Sequence, residues 1–227
     1  MKIAAISDTH GVFLDDTMFD LKDKGIDVLL IAGDTVDLHV QRSIEKSRDY
    51  YKSSFIPWTK TLDVKHIVMV GGNHDFFLEA KPDDFKNMII GTNITYLQNS
   101  YFEIDGITIF GTPLCHKFYN WAFMPDNETQ IDLFEHTMDN RKIDIFLSHD
   151  APYGCSDICW GSPWNHEHIG SEVIRDVVLA KDPTYMIHGH LHSSNHEEEL
   201  LGNTKVYNVS VLDEDYRVKY KPLIFEI

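Results

Sequence analysis

Five short polar runs in the 227-residue chain carry side chains that bind divalent metals and move protons. They are Asp8-Thr9-His10, Gly33-Asp34-Thr35-Val36-Asp37, Gly72-Asn73-His74-Asp75, Ser148-His149-Asp150 and Gly189-His190-Leu191-His192. Carboxylate and amide oxygens mixed with imidazole nitrogens suit Mn, Fe, Ni, Co or Zn better than Ca, which takes an all-oxygen shell. The pairs Asp8/His10 and His190/His192 step by two residues, a spacing that points both side chains the same way at the end of a strand. Histidine also titrates nearest neutrality, so the same runs hold candidate acids and bases. Singly, each run is weak. An Asp-x-His or Asn-His-Asp is more often a turn or a helix cap, and Gly33-Asp34 alone is a plain strand-to-loop turn. Together, five such runs each at an expected strand end make coincidence the poorer account.

The elements that must position them alternate between short apolar runs and amphipathic stretches, the pattern of an α/β architecture. Lys2–Ile6, Val28–Ala32, Ile67–Val70, Ile143–Leu147 and Tyr185–Ile187 read as buried strands, and each feeds one of the five runs. Phe13–Lys24 reads as a helix that stops at Gly25. Gln41–Tyr51 reads as a second helix, with Pro57 as a breaker before a short helix near Trp58–Leu62. Ser171–Ala180 is a third, with Val173, Ile174, Val177 and Val178 on its inner face. Asp105-Gly106 suits the tight turn of a hairpin between Tyr101–Ile104 and Ile107–Phe110. A hairpin over Glu197–Ser210, turning at Gly202-Asn203, and a last strand over Leu223–Ile227 complete the reading. In open α/β sheets ligands bind outside the carboxyl ends of the strands, where all five runs fall.

Composition sets the bounds. A hydrophobic share of 43% and a charged share of 25% are those of a globular protein, and 227 residues suit one substantial core, so a single domain over residues 1–227 is expected. No apolar run is long enough to cross a bilayer, and Met1–Ile6 has no signal-peptide pattern, which gives a cytoplasmic expectation. Three cysteines, Cys115, Cys155 and Cys159, cannot all pair within one chain and are expected reduced; Cys155/Cys159 as a metal clip lacks a second pair. A net charge of −16 weighs against duplex nucleic acid as a partner, although bound cations would reverse the sign locally.

The series Asp8-x-His10, Gly33-Asp34-x-x-Asp37, Gly72-Asn73-His74-Asp75, His149 and Gly189-His190-x-His192 resembles the full signature of the calcineurin-like metallophosphoesterases. The resemblance implies a β-sandwich of two mixed sheets flanked by helices. It implies one divalent ion on Asp8, His10, Asp34 and His192 and a second on Asn73, His149 and His190, with Asp34 shared, manganese being the first choice of metal. Two such ions about 3.5–4 Å apart polarise a phosphoryl oxygen, activate a bridging water and steady the departing oxygen. Against the carboxylates of Asp8 and Asp34 they leave the site at about +2, which welcomes a phosphate anion in an acidic protein. In the family the His74 position is a histidine that faces substrate, which makes it the candidate proton donor to the leaving oxygen. Asp37 is expected to orient it, with a helix N-cap as the alternative.

The implied substrate is a small phosphate ester or diester. Leu38-His39 and Asp75 stand where the serine/threonine phosphatases of the family carry Arg-Gly and Glu, which argues against that branch. Gly71 replaces a common Pro, and no extra region of the kind found in the family's nucleases is present. Gly111-Thr112-Pro113, Asn120-Trp121-Ala122-Phe123 and Ser148-His149-Asp150-Ala151-Pro152 are similar to the compact metallophosphoesterase-domain (MPPED-type) phosphodiesterases, with cyclic nucleotides as one substrate class. Trp121, His168 and His39 are candidate substrate contacts. For Trp121 and Phe123 a core or rim role stands as the alternative, and for the aromatic loop 160–170 a packed surface. His116 and His188 are read as non-ligands. A phosphomonoesterase, a nuclease or a ligand-poor scaffold of the same fold are the other functions, and the filled ligand positions argue against the scaffold.

Overall fold

Four apolar runs, β1 (Lys2–Ile6), β2 (Ile26–Ala32), β3 (Val64–Val70) and β4 (Ile94–Tyr96), lie side by side as parallel strands. The computed structural model describes residues 1–12, 21–160 and 166–227. A second group comprises β5 (Ser100–Ile104), β6 (Ile107–Thr112), β7 (Ile145–Ser148), β10 (Tyr185–His188), β11 (Glu199–Leu201) and β12 (Thr204–Asn208), in the order β11-β12-β10-β7-β6-β5. Its four central strands are parallel and its two edges antiparallel. Strand β13 (Leu223–Glu226) returns to pair antiparallel with β1 and completes the first sheet as β13-β1-β2-β3-β4. The small ribbon of β8 (Ile158–Cys159) and β9 (Glu167–His168) stands apart. This is the expected α/β sandwich of two mixed sheets.

Strand periodicity explains the layers. One face of the first sheet sends Ile3, Ala5, Val28, Leu30, Val68 and Val70 against Ile109, Ile145, Leu147 and Ile187 of the second, forming the inter-sheet core. The alternate residues Ala4, Ile6, Leu29, Ile31, Ile67 and Met69 face outward under Tyr51, Phe55, Phe77 and Phe85. On the far side, Phe110, Phe146, Met186 and Val206 pack under Phe134, Val173, Ile174 and Val178. The covering residues come from α5 (Asn127–Thr137) and α6 (Glu172–Lys181), the latter capped by the Ser171 hydroxyl at 3.2 Å from the Ile174 N–H. Strands covered on both faces are apolar throughout, as their sequences are. The Asp105-Gly106 turn has φ of 48° and 82°, as a two-residue hairpin of this type requires.

Two expectations differ from the structure. The helical stretch after β2 does not break before Pro57. It runs from α1 (Ile44–Tyr50) through a π-helical turn at Tyr51–Phe55 into α2 (Ile56–Thr59), with the Ile56 N–H bonded back to Tyr51. Proline falls in the first turn of α2, directly after the π-helical turn. The expected helix Phe13–Lys24 lies largely outside the described residues, and 22–24 form a turn. Short helices α3 (Phe76–Ala80) and α4 (Pro82–Met88) follow β3.

Asp75, fully buried at the start of α3, ties the loops after β2 and β3 together. Its carboxylate accepts from the N–H groups of Val36 (3.0 Å), Gly72 (2.8 Å) and Thr35 (3.4 Å) and from the Tyr51 hydroxyl (2.7 Å). Burial, helped by the charge of Asp34, pushes its carboxyl up to about 6 against those donors. Asp75→Ala strands several buried donors, and urea unfolding is expected to show a loss of about 3 kcal/mol; an unchanged midpoint would refute this role.

Candidate metal centre

The loops after β1, β2 and β3 of one sheet and after β7 and β10 of the other meet at a shared edge. Backbone bonds zip them together: Asp8 N–H to Gly33 O at 3.1 Å, His10 N–H to Asp34 O at 3.0 Å and Gly189 N–H to His149 O at 3.0 Å. Asp8 (φ 56°), His10 (43°), Asp34 (51°) and His190 (71°) all adopt left-handed backbone, a region that costs non-glycine residues free energy and is held only where neighbours over-determine it. Closeness is enforced by glycine. A Cβ at Gly72 would sit 2.2 Å from Asp34 Oδ1, and one at Gly189 would sit 2.0 Å from Ser7 Oγ.

The side chains converge. Asp8 Oδ1 lies 3.4 Å from His192 Nε2, and Asp34 Oδ2 lies 3.4 Å from His149 Nε2, 3.7 Å from His10 Nε2 and 3.8 Å from His74 Nε2. Asn73 Oδ1 accepts from His149 Nε2 at 2.9 Å. Asp8, His10 and His192 form one group of ligand atoms compact enough for an ion, and Asp8, Asp34 and His149 another. The ring of His190 lies 5.1 Å from that of His149 and lines the same cleft, but its nitrogens group with His116 and Asp150.

The charges account for the clustering. Burial would raise Asp8, yet His192, His149 and His10 hold it well below the usual carboxylate range. For Asp34, His149, His74 and His10 do the same. In return, and against burial, Asp34 lifts His149 to about 10 and Asp8 lifts His192 to about 9. Burial takes His10 down to about 4 and His190 to about 3, the neutral form that coordinates metal. His149 Nδ1 bonds to Ala32 O (2.7 Å) and His192 Nδ1 to Asp213 O (2.9 Å), which leaves each Nε2 for the cleft. His10 Nδ1 is buried with no hydrogen-bond partner among the described residues. Buried carboxylates that draw protons onto their histidines, with oriented Nε2 atoms, fit divalent cations.

The other expected residues fall in different places. His74 lines the cleft, and its backbone N–H donates to Asp34 Oδ1 at 2.8 Å. Its Nδ1 contacts Gln41 Oε1 rather than Asp37. The Asp37 carboxylate instead accepts from the His39 N–H at 2.7 Å within a turn, which is neither the expected contact with His74 nor the expected helix N-cap. His39 is exposed and absent from the described lining of the cleft. Trp121 lines it, engaged by His74 (4.4 Å between rings) and by the Arg42 guanidinium (4.1 Å). Phe123 is buried in the outer core. His168 lines a separate cavity, and residues 161–165 of the aromatic loop lie outside the described residues. Sequence reasoning missed Gln41, Ser210, whose hydroxyl donates to Asp8 Oδ2 at 2.6 Å, and Tyr216, whose ring lies 5.0 Å from His10 and 5.3 Å from His192. The described cysteines form no disulfide and join no metal-binding group.

A two-sheet sandwich with Asp/His clusters at one strand edge is a scaffold able to hold metal ions. Residues 1–194 match the model of the Calcineurin-like phosphoesterase family, and the chain belongs to that family. Its members act on phosphate esters. The chain is 28% identical to a UPF0046-group protein of Caenorhabditis elegans, over 100% of this chain and 60% of that one. It is 25% identical to the human Metallophosphoesterase domain-containing protein 1, over 88% of this chain and 64% of that one. It thus spans a little under two thirds of these relatives. In fold it is similar to the TT1561 protein of Thermus thermophilus (TM-score 0.67, 14% identity, 96% of both chains). It is also similar to a phosphopantetheinyl hydrolase of Mycobacterium tuberculosis (TM-score 0.60, 14% identity, 95% of this chain and 90% of that one). No helix among the described residues is long and apolar enough to cross a membrane.

Ser210 is not among the described lining of the cleft, but it fixes Asp8. Ser210→Ala is expected to weaken manganese binding about ten- to a hundredfold while the fold is retained. Calorimetric titration of the metal-free protein checks this, and an unchanged affinity would remove Ser210 from the support of the site.

Proposed function

We propose that the chain is a dinuclear-metal phosphodiesterase for small diesters, with manganese as the preferred metal and cyclic nucleotides among the substrates. The observation that carries the diester preference is the make-up of the cleft. Among its described lining residues there is no lysine or arginine, while Glu214 is present. With Glu214 on the wall and no cationic side chain to add to the metals, the cleft favours the single negative charge of a diester over the two of a monoester. The chain's −16 charge argues further against nucleic acid duplexes.

Asp8, His10, Asp34 and His192 would hold one ion, and Asn73, His149 and His190 the other, with Asp34 common to both. Ions held there supply Lewis acidity toward a phosphoryl oxygen and a water activated at neutral pH. The chain's own side chains do the rest. His74 presents Nε2 to the cleft beside Asp34, and Gln41 Oε1 accepts from its Nδ1–H, so it is the charged ring that would give its Nε2 proton to a leaving oxygen. Trp121 stacks against the imidazole on that side, and the Arg42 guanidinium packs on Trp121 outside the described lining of the cleft.

Manganese-loaded protein is expected to hydrolyse bis(p-nitrophenyl) phosphate with a higher kcat/KM than p-nitrophenyl phosphate, and cyclic nucleotides measurably. A preference for the monoester would overturn the diester reading, and no turnover of any of them would overturn the enzymatic one. His74→Ala is expected to keep the metal content while slowing nucleotide esters by roughly two to four orders of magnitude. The loss should be small for p-nitrophenyl esters, because p-nitrophenolate departs without a proton. An equal loss on both ester types would show that His74 positions phosphate instead.

A further inference from the structure

Beside the metal cleft lies a second, larger cavity of about 470 Å³, and the two share Phe118 and His190 on their walls. The remaining wall includes His116, Tyr153, His168 and Ile169. Ring packing is dense: Phe118 lies 5.5 Å from His190 and 5.2 Å from His116, and Tyr153 lies 5.7 Å from His168.

The two histidines that belong only to this cavity are held in the same way. His116 Nδ1 lies 2.8 Å from Asp150 Oδ2, and His168 Nδ1 lies 2.6 Å from Asp157 Oδ1; both carboxylates are fully buried. Each ring is thereby fixed through Nδ1, and Nε2 is the nitrogen left for a ligand. Asp157 is itself fixed by the N–H groups of Gly154 (3.0 Å) and Gly170 (2.9 Å), and Asp150 by those of His116 (2.7 Å) and Ala151 (2.9 Å). The His116–Asp150–His190 cluster therefore has its carboxylate already satisfied by the protein, and it needs no ion of its own.

Charge selects what the cavity would take. His116 and His168 are each paired with a buried carboxylate, and Lys117 and Glu172 on the wall contribute one charge of each sign. No excess of positive charge stands on the described wall for a second phosphate. Stacking surface, two fixed imidazole nitrogens and balanced charge suit a neutral, flat heteroaromatic group. The position also tells which half of a diester it receives. The leaving oxygen must face His74, and neither His74 nor Trp121 is among the described lining of this cavity. The cavity adjoins the metal cleft along the shared residues His190 and Phe118, away from His74, which is the side on which the ester arm that stays on phosphorus would lie.

We propose that this cavity is the specificity site for the retained arm of the substrate, and that the substrate class is a phosphodiester carrying a neutral aromatic or nucleoside group on that arm. The assignment rests on the phosphodiesterase reading above and adds the residues that choose the substrate: Tyr153, His116 and His168, with Phe118 and His190 at the junction.

The test holds the leaving group constant. Thymidine 5′-(p-nitrophenyl phosphate) and methyl p-nitrophenyl phosphate both release p-nitrophenolate, and they differ only in the retained arm. Manganese-loaded wild-type protein is expected to favour the thymidine ester in kcat/KM by about tenfold or more, the scale of one base stacked on an aromatic ring. Tyr153→Ala, a partly exposed position, should lose most of that ratio, chiefly through KM for the thymidine ester, at unchanged manganese content by elemental analysis. Phenylphosphonate should inhibit the wild type more strongly than methylphosphonate, and Tyr153→Ala should reduce that difference. Equal kcat/KM for the two esters in the wild type, or a ratio untouched by Tyr153→Ala, would overturn the specificity site and leave the phosphodiesterase standing. Hydrolysis of neither ester would overturn the phosphodiesterase reading and this assignment with it.

Discussion

Asp8 and Asp34 are almost wholly removed from solvent at the seam between the two sheets, and both stay ionised. A buried carboxylate without compensation costs several kcal/mol, so the surroundings must supply positive charge and donors. Here they do so with imidazoles and backbone. His149, His192 and His10 approach the two carboxylates, the His190 N–H lies 3.0 Å from Asp8 Oδ2, and the His74 N–H lies 2.8 Å from Asp34 Oδ1. Divalent cations meet the same demand with more charge in less space. The left-handed backbone at four neighbouring positions follows from bringing these donors around so few oxygens.

The sandwich makes that crowding possible. Parallel strands deliver their carboxyl ends to one edge, and two sheets packed face to face bring two such edges together. Asp8, Asp34 and Asn73 come from the first sheet, His149, His190 and His192 from the second. Rigidity comes from beneath. Asp75 gathers the loops after β2 and β3 onto the Tyr51 hydroxyl, and the π-helical turn at Tyr51–Phe55 lets that ring enter the core while the chain continues helical past Pro57. Packing behind the site and polar bonding within it are thus joined at Asp75, and Thr35 adds a second tie, its Oγ1 lying 2.9 Å from the Tyr51 hydroxyl.

Much of this was legible in the sequence because the information was local. Each of the five polar runs follows an apolar strand, and strand ends are where α/β folds place ligands, so the runs could be located by position, while the ligand roles within them came from the family resemblance. That these strands are covered on both faces was likewise legible in their continuous apolar runs, such as Lys2–Ile6 and Val28–Ala32. What escaped notice comes from long-range placement. Gln41 reaches His74 from 33 positions away, and Ser210 reaches Asp8 from 202. Neither carries a local mark, since a lone glutamine or serine has many uses. Asp37 was misassigned because proximity in a motif was read as contact, when its carboxylate serves the turn two residues on. Pro57 misled for a related reason: its rule assumes an α-helical register, and the π-turn changes the register.

The distribution of the cleft residues along the chain also fixes when the site can exist. The candidate metal ligands run from Asp8 to His192, the hydroxyl that steadies Asp8 is at Ser210, and Glu214 and Tyr216 line the cleft, so the centre is closed by contacts between residues far apart in sequence. Contacts of that kind form late, because the entropy of closing the intervening loop must be met first. During synthesis the first four strands can assemble while β7 and β10, which lead into His149, His190 and His192, are still unmade, leaving Asp8 without His192 and Asp34 without His149. The metal-binding cleft is therefore a product of folding and not its template, and a growing chain carries half of it exposed until the last third arrives.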